Sequence, residues 1–167
     1  MEMTGSNVVA PLLLAASGCC LASAAAAQSF GPERTLVETP SDFFHGMGDL
    51  DGDGDPDAVL AGMTSGDLTW YGNLGDGRLG SARIIDSSLP SPQTPSAFDI
   101  DVDGDLDVVV VLRNEGSVVC YQNLGAGTFG PRRTLADGMD RPRGFTLADL
   151  DGDGDPDLVV TVGSNFM

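Results

Sequence analysis

Beyond residue 57 the apolar positions fall into short runs that recur at a fixed distance: residues 58–61, 108–112 and 158–162. These runs are rich in β-branched residues and too short for independent helices, so they predict strands. A glycine turn follows, and in the first two cases a second apolar run, residues 68–72 or 118–122. Next come a glycine-rich turn, NLGDG or NLGAG, and a third stretch, residues 79–85 or 128–135. A further strand leading into each acidic segment is expected near residues 97–100 and 144–150. After residue 27 no segment carries a 3.6-residue apolar period.

The pattern is an internal repeat. Asp49 opens DLDGDGDPD, Asp99 opens DIDVDGDLD and Asp149 opens DLDGDGDPD again, 50 residues apart each time. WYGNLGDGRLG at 70–80 aligns with CYQNLGAGTFG at 120–130, and SFGPERTL at 29–36 with TFGPRRTL at 128–135. Residues 28–40 therefore read as the end of a preceding repeat, 41–90 as repeat 1, 91–140 as repeat 2 and 141–167 as a partial repeat 3. Four short strands per ~50 residues is the character of a propeller blade. The fold expected is all-β: a partial β-propeller of four-stranded antiparallel blades, about 2.8 repeats, with the ring not closed. Closed propellers have roughly 4–8 blades. The chain is thus expected either to be a truncated product or to complete its ring with other chains, with self-association through open blade edges.

Fifteen of the 25 acids sit in the three nine-residue acidic windows. In the first, Gly54 lets the chain curl so that carboxylates at positions 1, 3, 5 and 9 converge, while position 7 is placed to offer its carbonyl. Pro56 and Pro156 hold the residue before them extended. Two unit charges ~4 Å apart repel by about 4 kcal/mol near a protein surface, so several inward carboxylates need a cation. An all-oxygen, flexible, highly charged loop suits Ca²⁺. Mg²⁺ prefers a smaller octahedral site, and zinc wants His or Cys. An EF-hand is excluded, because its position 12 is Glu and here it is Leu60, Val110 and Val160.

The loop D-x-D-x-D-G-x-x-D before an apolar strand, with Asn-x-Gly-x-Gly and Phe-Gly segments, resembles the FG-GAP (VCBS) repeat of integrin α-chain propellers and many secreted microbial proteins. The resemblance covers nearly all of residues 28–167. It implies one calcium ion per loop, between two strands of one blade. The implied side-chain ligands are Asp49, Asp51, Asp53 and Asp57; Asp99, Asp101, Asp103 and Asp107; Asp149, Asp151, Asp153 and Asp157. Asp55, Asp105 and Asp155 are implied carbonyl donors. The second loop departs at Val102, where the others have Gly, and at Leu106, where they have Pro.

Net charge is −17, which argues against nucleic acid as a partner. Residues 1–27 differ from the rest: an apolar stretch at 8–14, broken by Pro11, runs into small residues ending at Ala25-x-Ala27. This is the pattern of a secretory signal peptide cleaved before Gln28, without the usual basic start. It places the mature chain outside the cell, at its surface or in the periplasm, with no membrane span. Cys19 and Cys20 lie in the leader, which leaves Cys120 alone and no intramolecular disulfide.

No nucleophile–base pair and no phosphate loop is visible, and repetition of the Asp pairs argues for metal rather than for a catalytic dyad. The only His, His45, reads as a surface or turn residue. Trp70, Tyr71, Cys120 and Tyr121 fall in the same strand of successive repeats and read as packing between blades. Arg132, Arg133, Arg141 and Arg143 form the one basic cluster, expected to offset nearby loop acids. The reading is a secreted calcium-binding module that is not an enzyme and meets a protein or glycan ligand. Its alternative is a non-catalytic propeller part of a secreted carbohydrate-active or hydrolytic enzyme.

Overall fold

The computed structural model describes residues 35–38 and 43–163, all within one compact unit, Arg34–Met167. The leader and its cleavage position lie outside the described residues, as does most of the expected preceding repeat. Among the described residues there are ten strands and no helix. They are β1 (Phe43–Gly48), β2 (Asp57–Gly62), β3 (Leu68–Tyr71), β4 (Arg83–Asp86), β5 (Pro92–Phe98), β6 (Asp107–Leu112), β7 (Ser117–Tyr121), β8 (Arg133–Ala136), β9 (Pro142–Ala148) and β10 (Asp157–Val162). The first sheet has the order β1-β2-β3-β4, the second β5-β6-β7-β8, and the third is the pair β9 and β10. All pairings are antiparallel, so each sheet is an up-and-down meander.

Side chains alternate across a strand, and that alternation sorts β6 into two cores. Val108, Val110 and Leu112 join Val59, Ala61, Leu68 and Trp70 of the first sheet. Val109 and Val111 join Leu158 and Val160 of the third. The second sheet is therefore sandwiched, which is why β6 reads DVVVVL without a polar alternation. Each fully buried valine contributes about 1.5–3 kcal/mol. In β10 the same period leaves Leu158 and Val160 facing inward and Val159 exposed, and past the register shift between Thr161 and Val162 it is broken, with Val162 exposed too. The three sheets stand in a row with the second in the middle, and they do not close into a ring. This is an all-β, open, propeller-type stack.

Two strand positions differ from those expected. The third stretch is not one strand: Leu79 and Phe129 make only isolated bridges, to Asn73 and Asn123, and β4 and β8 begin four residues later. The glycine-rich turn folds back on itself through Gly80 N–H to Gly72 O (2.8 Å) and Gly130 N–H to Gln122 O (2.7 Å), which ends the first pairing. The strand before each acidic loop starts and ends earlier than expected, at Pro92–Phe98 and Pro142–Ala148. Proline is tolerated at a strand's first residue and at bulges. Pro92 takes the first place, and Pro95 lies inside the register shift between Gln93 and Ser96.

Candidate metal sites

Each acidic loop joins the first two strands of its sheet: 49–56 joins β1 to β2, 99–106 joins β5 to β6, and 149–156 joins β9 to β10. The loops are shaped by their own carboxylates. Asp49 Oδ1 accepts from Gly52 N–H (2.8 Å) and Oδ2 from Gly54 N–H (2.9 Å). Asp149 repeats this with Gly152 (2.7 Å) and Gly154 (3.1 Å). Asp53, Asp103 and Asp153 each accept the N–H two residues on, of Asp55, Asp105 and Asp155. Two glycines at positive φ, Gly52 and Gly54, give the curl.

Each loop brings three of its aspartates together, where four side-chain ligands were expected, and leaves Asp57, Asp107 and Asp153 outside these groups. Ligand-capable oxygens of Asp49, Asp51 and Asp53 lie within 4.8 Å of one another, as do those of Asp99, Asp101 and Asp103, and of Asp149, Asp151 and Asp157. Asp51 Oδ1 is buried with no hydrogen-bond partner. A carboxylate oxygen buried without a donor is costly unless a cation meets it. Hard oxygen donors of this kind fit Ca²⁺. Among the described residues no arginine pairs with a loop aspartate. The ion pairs are Arg78–Asp76 and Arg132–Glu115 (3.3 Å). Arg132 thus meets the β6–β7 turn rather than an acidic loop, and Arg83 lies over the Trp70 ring at 4.8 Å.

The last aspartate of each loop has a further structural role. Asp57 Oδ2 accepts from Leu50 N–H (3.0 Å) and Oδ1 from Asn73 N–H (2.7 Å). Asp107 accepts from Ile100 (3.2 Å) and Asn123 (2.8 Å) in the same way. These buried carboxylates tie the acidic loop to the glycine-rich turn of the same sheet. Burial pushes both carboxyls above the usual range, the backbone N–H bonds oppose the shift, and the other loop aspartates add to it. Asn73 and Asn123 complete the tie: their side-chain amides donate to Pro56 O (3.1 Å) and Leu106 O (3.1 Å). Sequence reasoning took them only as turn residues. Their signal was the fixed 16-residue step from Asp57 to Asn73 and from Asp107 to Asn123.

The second loop is distinct. Val102 takes φ 58°, where Gly52 and Gly152 have 77° and 80°. Asp99 Oδ1 here accepts from Asp103 N–H (3.1 Å), one residue later than in the other loops, and Asp101 accepts from Gln122 Nε2. Elsewhere, His45 is an exposed strand residue of β1, and Cys120 is a buried free thiol whose pKa burial raises. Trp70 and Tyr121 are buried between the first two sheets, where Tyr121 donates its O–H to Asp86 Oδ2 (2.6 Å).

The FG-GAP-like repeat matches residues 49–110 and again 99–160, each match spanning one acidic loop through the strand after the next. No curated protein and no solved structure matches the chain. No helix among the described residues is long and apolar enough to cross a membrane. The matches span residues 49–160 in the 50-residue register of the loops and sheets, and the chain belongs to the FG-GAP-like repeat family.

Proposed function

We propose that this chain is a secreted calcium-binding module whose loops, stiffened by the ion, present a surface to a protein or glycan. The observation that carries the calcium reading is threefold convergence: three aspartate groups with oxygens within 4.8 Å, in register, one of them holding a buried oxygen with no donor. A single acidic turn is compatible with plain solvation, whereas an unpaired buried carboxylate oxygen asks for a cation. Export rests on the leader pattern of residues 1–27 and on the company such repeats keep in secreted proteins.

Native mass spectrometry or calorimetry at millimolar Ca²⁺ tests the first part. About three ions per chain are expected, in the ~10⁻⁴–10⁻³ M range of extracellular sites. A chain that takes up no Ca²⁺ there is not a calcium module. N-terminal sequencing of exported material tests the second. The first residue should be at or near Gln28, and material retaining Met1 inside the cell contradicts export.

A further inference from the structure

The first and second sheets meet through a residue set that the 50-residue repeat copies onto the opposite face of the first sheet. On the second sheet, Val108, Val110 and Tyr121 pack into the shared core, and Phe129 lies edge-on to Trp70 at 6.4 Å. Asn123 Nδ2 crosses to the carbonyl of Leu50 (2.7 Å). Gly127 has no room for a Cβ, which would stand 2.3 Å from the Trp70 ring.

Fifty residues earlier these positions are Ala58, Leu60, Tyr71, Leu79, Asn73 and Gly77. Five of them, all but Tyr71, line a groove of about 430 Å³ on the other face of the first sheet. Asn73 makes the bond within its own sheet, to Pro56, and its second amide hydrogen has no acceptor among the described residues. One margin of the groove is formed by Thr35, Leu36 and Val37. Leu36 aligns with Leu135 and Ile85, which pack at the edges of the two internal interfaces. Residues 35–37 thus lie where a fourth strand over this face would stand, and among the described residues nothing occupies the places of the first two strands.

The third sheet carries the complementary surface. Its β9–β10 pair occupies just those first two strand places. Leu150 is 68% exposed although its counterpart Leu50, under Asn123, is 1% exposed. Val159 is 43% exposed although Val59 is fully buried. We propose that the outer face of the third sheet of one copy docks on the groove face of the first sheet of a second copy, reproducing the contact between the first two sheets. Such a contact uses different faces of the two partners. It is heterologous, and repeats head to tail.

Leu60→Arg on the groove face and Val159→Arg on the outer face of β10 separate this arrangement from others, because both sites lie outside the two internal cores. The measurement is sedimentation or light scattering of the full chain in millimolar Ca²⁺, with far-UV circular dichroism to confirm that β structure is kept. The wild-type mass should grow with concentration beyond that of a monomer, to a closed ring where the rotation closes and to longer chains where it does not. Each variant alone should remain a monomer, and an equimolar mixture of the two should give a one-to-one dimer and nothing larger. Association through the leader, or between like faces, would leave at least one variant still associating. That outcome, a wild type monomeric at every concentration, or a mixture that fails to dimerise overturns the proposal.

Discussion

Val102 departs from its own repeat. A β-branched residue at φ 58° crowds its Cβ against the following carbonyl, a cost of about 1–2 kcal/mol that glycine avoids. The side chain recovers little by packing, since it is 68% exposed. Glycine gives back part of the gain through its freer unfolded chain. The net expectation for Val102→Gly is a stabilisation of about 0.5–1 kcal/mol, read as a higher urea midpoint at unchanged slope. The reverse change, Gly52→Val, should lower the midpoint by a similar amount. If Val102→Gly is neutral or destabilising, the valine is held by a contribution other than local backbone geometry.

At the scale of the elements, the acidic loop and the glycine-rich turn are one device. Asp57→Ala leaves two backbone donors, of Leu50 and Asn73, without their acceptor in a buried place. Each such loss costs about 1–3 kcal/mol, so a destabilisation of roughly 2–4 kcal/mol is expected, in chelator as well as in calcium. Asp51→Asn should behave oppositely, raising stability in chelator because a buried, unpartnered like charge is removed, and costing one bound ion. Urea titrations with and without Ca²⁺, together with an ion count, distinguish the two carboxylates; equal behaviour would mean that Asp57 acts chiefly as a ligand. Much of this was legible in the sequence. The period, the three loops and the apolar strands after them follow from spacing and β-branched runs. The tie was hidden, because Asp57 looks like every other loop aspartate until its distance to Asn73 is known. The strands before the loops were placed too late, nearer the acidic segments, whereas the structure starts one at Pro92 and carries Pro95 within a bulge. Leu79 and Phe129 were placed within the third stretch because an apolar residue after a glycine turn has the same pattern whether it joins a ladder or makes one bridge.

At the scale of the whole molecule, the second sheet is the shared element, with one face in each core. In stacked repeats stability is a sum of repeat and interface contributions, and here removal of the second sheet exposes both interfaces together. Trp70 is the chain's one tryptophan and sits in the first interface, against Phe129 and the backbone at Gly127. Its fluorescence therefore reports on that interface, while far-UV circular dichroism reports on all the sheets. In calcium the two denaturation curves should coincide, as in a two-state unit. Gly127→Ala puts a Cβ within 2.3 Å of the indole and at φ 66°, so overpacking and backbone strain both oppose it. Together they should cost about 2–4 kcal/mol. The native emission should shift to the red as Trp70 is displaced, while the β signal is kept and both curves move to lower urea together. A tryptophan curve that moves alone would show that the first sheet detaches while the second and third remain folded, making the sheets separable units joined by a weak interface.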